Sequence, residues 1–192
     1  SLESGALYRL VALQAQREGA AEDDELRLAD LAATLDARFH GESVYLSNQE
    51  VSDTLRGEDH GRRASAIARF PRVRTALLER QRGFRMPPGL VADGRDMGTV
   101  VFPDALLKVF LTASVGARAQ RRYKQLKEKG FDANLAALSS DLEARDAQDA
   151  QRAVAPLKPA GDAVELDSTD LSIEEVVARI VSWWRERRVT IK

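Results

Sequence analysis

Cysteine is absent from this chain of 192 residues. Disulfides and thiolate metal sites are therefore excluded, which suits a reducing compartment and leads to the expectation of a cytoplasmic protein. Net charge is scarce as well: 29 Lys and Arg residues nearly cancel 30 Asp and Glu, leaving −1. Nucleic-acid and membrane partners both favour a basic excess, so neither is expected. No apolar run approaches a membrane span, no charged-then-apolar signal segment opens the sequence, and no repeat or low-complexity tract interrupts it. The two histidines, His40 and His60, sit in turn-like contexts without a third metal-type neighbour, so surface positions rather than ligation are expected.

What is present is a core. Hydrophobic residues make up 44% of the chain, enough for one domain or a core with one sizeable insertion. Ser4 reads as the N-cap of a helix carrying Leu7, Leu10, Val11 and Ala15 and closed by Gly19. Acidic Glu22 to Glu25 opens a second helix with Leu28, Leu31, Ala32 and Leu35 inside, the charge sign suiting the helix dipole. From Ala37 to Val51 the pattern changes to short hairpin-like strands, with breaks at His40-Gly41 and Ser47-Asn48. Helices follow over 62–68 and from Pro71, at a first helical position, to Arg85. Arg80, Arg82 and Arg85 read as the coat of an exposed helix face.

Leu90-Val91-Ala92, Leu106 to Leu111 and Ala163 to Leu166 read as strands, and Ser172 to Arg188 as a final helix that packs Trp183 and Trp184 on the sheet. Short apolar strands separated by helices imply an α/β protein with a parallel sheet covered on both faces. The mixed segment between Ala37 and Arg85 reads as an inserted small domain.

Three stretches carry chemistry. Ligands of open α/β sheets lie beyond the carboxyl ends of the strands. Asp93-Gly94-Arg95-Asp96-Met97-Gly98-Thr99 occupies such a place, with groups suited to a phosphate or a metal; a capped turn is the plainer reading. Leu135, Leu138, Leu142, Arg145, Asp149 and Arg152 follow at helical steps of three and four, so the apolar stripe continues inward as charge. Such a run is costly unless paired or liganded, and a structural salt-bridge ladder is the alternative. Between Ala117 and Gly130, Arg118, Arg121, Arg122, Lys124, Lys127 and Lys129 face the single acid Glu128. Arg118 and Arg122, at i and i+4, could grip phosphates or stack on a base, or merely lie in a solvated face.

Taken in order, Ser4-Gly5-Ala6-Leu7-Tyr8-Arg9, Phe70-Pro71-Arg72-Val73-Arg74, the run from Ala92-Asp93-Gly94-Arg95-Asp96-Met97 to Pro103, and Arg145-Asp146 through Arg152-Ala153-Val154-Ala155-Pro156-Leu157 resemble the bacterial cytidylate kinase family over essentially the whole chain. Glu3 stands where related sequences usually have Asp. The resemblance implies a P-loop nucleoside monophosphate kinase fold, with a parallel-sheet core (1–36, partial, and 87–192), an inserted mixed α/β domain binding the acceptor nucleotide (37–86) and a short basic lid (around 117–133). It implies ATP-dependent phosphorylation of CMP and dCMP, with Mg2+, by a monomer. The family opens with a strand and a Gly-x-x-x-x-Gly-Lys loop, and no such loop occurs here. The expectation is therefore a chain that lacks about 30 residues of strand, loop and helix and is inefficient alone.

By the same resemblance Arg9 and Arg95 hold the CMP phosphate, with Arg152 near the transferred group. Asp149 and Arg145 read the ribose, Asp96 and Ser65 accept from the cytosine amino group, Arg74 donates to the ring acceptors, and Ser4 lies beside them. On the donor side Arg118 lies against adenine, Arg122 contacts phosphate, and Asp93 holds a water of the magnesium shell. Catalysis would fall to Arg122 and Arg152, with no strong base, because the acceptor phosphate is already an anion. A kinase for UMP or another small acceptor, and a non-catalytic nucleotide-binding protein, are the alternatives.

Overall fold

The computed structural model describes residues 1–41 and 43–190. The chain forms two compact units, one of Ser1–Met97 with Arg152–Pro156, the other of Gly98–Gln151 with the segment from Leu157 onward.

In the first unit, β1 (Leu2–Glu3) runs directly into α1 (Ser4–Arg17), followed by α2 (Glu25–Ala33). The Asp24 side chain caps α2 by accepting from the Arg27 amide, so the acidic stretch supplies the cap as well as the dipole match. An antiparallel meander follows: β2 (Ala37–His40), β3 (Ser43–Leu46) and β4 (Gln49–Glu50), with Ala37 opposite Leu46 and Leu46 opposite Gln49. Ser47 and Asn48 both have positive φ (49° and 65°), which lets two residues close the β3–β4 hairpin. Then come α3 (Ser52–Arg56), α4 (Glu58–Ile67), α5 (Pro71–Gly83) and β5 (Ala92–Asp93), which pairs in parallel with β1. Leu7, Leu10, Val11, Leu28, Ile67, Val73 and Leu77 are almost wholly buried, and α1 packs on α4 as α2 does on α5.

A π-helical turn (Met97–Val101) starts on Met97 of the first unit and opens the second, which goes on to β6 (Val109–Thr112). There follow α6 (Val115–Glu128), α7 (Leu135–Ala150), β7 (Val164–Asp167) and α8 (Ile173–Thr190). β6 and β7 are parallel, Val109 opposite Val164 and Thr112 opposite Asp167. Ala119, Leu126 and Leu138 join α6 to α7, with Tyr123, Leu135 and Leu142 against them. Ser114 and Asn134 cap these helices by accepting from the Ala117 and Ala137 amides.

Several expectations need correcting. Ser4 is not an N-cap: Glu3 holds that position with no side-chain bond, and Ser4 lies buried inside the helix. The strand expected over Leu90-Val91-Ala92 is paired only at Ala92–Asp93, and Val91 is exposed. Its ladder is short because β1 gives way to a helix after two residues. The strand expected from Leu106 starts at Val109, where a partner strand exists. The helix expected over 62–68 starts earlier, at Glu58, and α3 precedes it unforeseen. Arg80 does not coat the surface, since its guanidinium donates to the Leu35 and Ala37 oxygens beyond the end of α2. His60 is half-buried with its Nε2 enclosed and unbonded. Trp184 is exposed, with Arg188 5.2 Å from its ring centroid, rather than packed on the sheet.

Candidate functional site

In the first unit the site starts at the end of β5. After Asp93 the chain turns through Gly94, where an added Cβ would lie 2.1 Å from Ser4 Oγ and 3.1 Å from Ser4 Cβ. Only glycine permits that approach, and it sets the first turn of α1 against this loop. Two residues on, Asp96 is buried, and its carboxylate receives Nη2 of the equally buried Arg74. Arg74 lies in the first turn of α5, which Pro71 starts, and its Nη1 donates to the Ala68 oxygen at 2.9 Å. The guanidinium is 5.8 Å from the centroid of Tyr8, one helical turn after Ser4. Burial pushes the Tyr8 phenol pKa upward, Asp96 adds to the rise, and the Arg74 and Arg152 cations oppose it. Arg152 is itself buried.

The structure thus gathers Ser4, Arg74, Asp96 and Arg152 about Tyr8. Ser65 is buried on α4. Arg9, on α1, donates through Nη1 to the Leu55 oxygen at 2.6 Å, while Asp93 and Arg95 are exposed at the loop.

In the second unit Arg118 is held on three sides. Its Nε donates to the Ala113 oxygen at 3.0 Å, and Nη1 and Nη2 donate to the two carboxylate oxygens of Asp146 at 3.0 and 2.5 Å. Arg121 anchors α6 to the loop after β7 through Ser168 Oγ, at 3.2 Å, and the Ser168 main-chain oxygen. Arg122 and Arg145 are half-buried, and Asp149 is buried in the last turn of α7, its main-chain oxygen accepting from Leu157 at 2.9 Å.

The charged stripe is shorter than its spacing suggests. Helix α7 ends at Ala150, and Gln151 caps it by donating its amide to Ala147. Arg152 therefore follows the helix rather than continuing it and is grouped with the first unit, while Arg145 and Asp149 belong to the second. A helical step count has no means of registering a C-cap that glycine does not mark. Tyr8, Asp146 and Arg121 carry no role in the sequence reading. Tyr8 at i+4 from Ser4 was the available signal for one of them. Among the described residues no three His, Cys, Asp or Glu cluster to hold a metal, and no helix is long and apolar enough to cross a membrane.

Parallel strand pairs among helices define the class, an α/β protein, and arginines and carboxylates follow the carboxyl ends of the strands, where ligands of open α/β sheets lie. Comparison with known proteins narrows it. The cytidylate kinase family model matches residues 1–186. The chain is 60% identical over 184 residues to the cytidylate kinase of Bordetella bronchiseptica, covering 96% of this chain and 82% of that protein. To the cytidylate kinase of Ralstonia pickettii it is 57% identical over 185 residues (96% and 80%), and to that of Azotobacter vinelandii 56% over 187 (94% and 82%). The chain belongs to the cytidylate kinase family.

Proposed function

We propose that this chain binds CMP and dCMP, and that the enzyme it forms phosphorylates them with ATP. An oxygen of the acceptor phosphate bonds to the γ-phosphorus as the bond from that phosphorus to the β-phosphate bridging oxygen breaks. ADP and the nucleoside diphosphate result. Family membership supports the reaction; the buried Arg74–Asp96 pair is the observation that carries the choice of base.

Cytosine offers an amino donor at C4 and acceptors at N3 and O2, whereas uracil offers a carbonyl at C4 and a donor at N3. A carboxylate next to a guanidinium matches the first pattern: Asp96, with Ser65, accepts from the amino group while Arg74 donates to the ring. Ser4 lines the same pocket. Arg9, Arg95 and Arg152 neutralise the acceptor phosphate, and Arg145 with Asp149 reads the ribose. Arg118 lies against the donor base and Arg122 contacts its phosphates. Phosphoryl transfer asks mainly for such positioning and charge neutralisation.

In this reading residues 37–86 form the inserted acceptor-binding domain and residues around 117–133 a lid that excludes water when closed. Asp93, exposed at the end of β5, fits a magnesium ion that keeps several waters, and such an ion would offset phosphate charge. The reading includes a cytoplasmic monomer with neither nucleic acid nor membrane as partner. Backbone amides of a Gly-x-x-x-x-Gly-Lys loop would cradle the ATP phosphates, and none of these 192 residues supplies one. CMP affinity, rather than turnover, is therefore what this chain alone reports.

Calorimetric titration with CMP and UMP tests the proposal. CMP should bind about ten- to a hundredfold more tightly, because a buried unpaired polar group costs roughly 1–3 kcal/mol. Asp96→Asn, which can donate as well as accept, should weaken CMP and narrow the ratio. An unchanged ratio removes Asp96 from base recognition.

A further inference from the structure

Three of the five N–H donors of the Arg118 guanidinium are committed, one on each nitrogen. Nε is committed to the oxygen of Ala113, the residue just past β6, and both terminal nitrogens to Asp146 on α7. A fork facing a carboxylate fixes the plane of the group as well as its position. The two supports are rooted in structure: Ala113 follows the β6–β7 ladder, and α7 is joined to α6 through Ala119, Leu126 and Leu138. The Arg118 side chain nonetheless keeps 28% of its surface exposed. A guanidinium held by its edge presents its flat face, and that face stacks on planar rings. The same fork, if released, would turn its donors to phosphate.

We propose that Asp146 is a positioning residue, locking the edge of Arg118 so that this arginine offers a shelf for the donor's base instead of a phosphate clamp. The proposal rests on the reading of Arg118 as a donor-side residue given above. It divides the work on α6, with Arg118 taking the ring and Arg122, one turn on, left to meet the phosphates.

NMR-monitored titration of the full chain with ATP and with inorganic tripolyphosphate reads this division at millimolar affinity. ATP should bind about tenfold or more tightly than tripolyphosphate, the excess coming from the stacked base. Asp146→Asn should bring the ratio near one, chiefly by tightening tripolyphosphate, while Asp146→Glu keeps most of it. Arg118→Lys, which retains the charge without the plane, should collapse the ratio in the same way and decides the matter if Asp146→Asn does not fold. CMP affinity, measured alongside, should not change in Asp146→Asn. Loss of CMP binding by the unsubstituted chain strikes the acceptor reading and leaves Asp146 untouched. Equal affinity of the unsubstituted chain for the two donor-side probes, binding of neither included, overturns the proposal. So does an undiminished ratio in Asp146→Asn or, where that variant does not fold, in Arg118→Lys.

Discussion

Among the arginine–carboxylate pairs, Arg74–Asp96 in the first unit and Arg118–Asp146 in the second differ in their surroundings more than in their chemistry. Arg74 and Asp96 keep 9% and 7% of their side-chain surface exposed, Arg118 and Asp146 28% and 33%. Taking two charges out of water is expensive, and the mutual attraction offsets the cost only while both partners remain. The first pair is therefore intolerant of losing either member. The second is partly open to solvent, where screening and side-chain entropy leave an ion pair worth less. Similar bonds are thus costly to break in one unit and cheap to break in the other.

The largest effect should come from breaking the buried pair. Arg74→Ala takes the guanidinium from a buried carboxylate and should cost about 3–5 kcal/mol in chemical denaturation. The corresponding Asp146→Asn loss should stay under about 1 kcal/mol. Equal losses would dissolve the contrast between the two units. Next in size, Gly94→Ala drives a Cβ into Ser4 and should cost about 1–3 kcal/mol, with weaker CMP binding. Adding Ser4→Gly removes both the hydroxyl and the Cβ it meets, so the double variant should recover part of the loss. Full additivity would show that the loop and α1 adjust independently.

The smallest effect concerns His60, a group that belongs to neither pair. Burial lowers its pKa first, Arg63 and Arg9 act in the same direction, and Asp59 opposes them. A histidine whose folded pKa lies below its unfolded value adds stability above about pH 6.5. That stability is lost as pH falls through the interval down to the folded pKa, because the unfolded chain takes up the proton first. Stability measured from pH 7.5 to 5 should decline less in His60→Leu than in the unsubstituted chain. Parallel curves would show that its enclosed Nε2 does not govern the titration.

Much of this was legible in the chain. Helices α1, α2 and α5, the change of pattern at Ala37 and the parallel character of the strands followed from periodicity and from Gly, Pro and acidic markers near their ends. Strand extents were not legible, because a ladder is as long as its partner. Residues 90–92 look fully apolar, yet only Ala92 lies in register with the two-residue β1; Val91 gives it a main-chain oxygen, and its side chain is exposed. Nor was the end of α7: leucines and arginines kept the helical step through position 152, while the backbone left the helix at Gln151.

The family, the α/β class and most of the charged residues worth watching were determined by sequence alone. Order and spacing along the chain carry them, and helical faces depend on neighbours three and four positions away. Tertiary structure decided what each charge does. Asp96 meets an arginine 22 positions away and Arg118 an aspartate 28 positions away, and whether those bonds close in the interior or near water sets their worth. A local pattern holds no record of which edge of a guanidinium is occupied, because that depends on the partner that long-range packing brings to it.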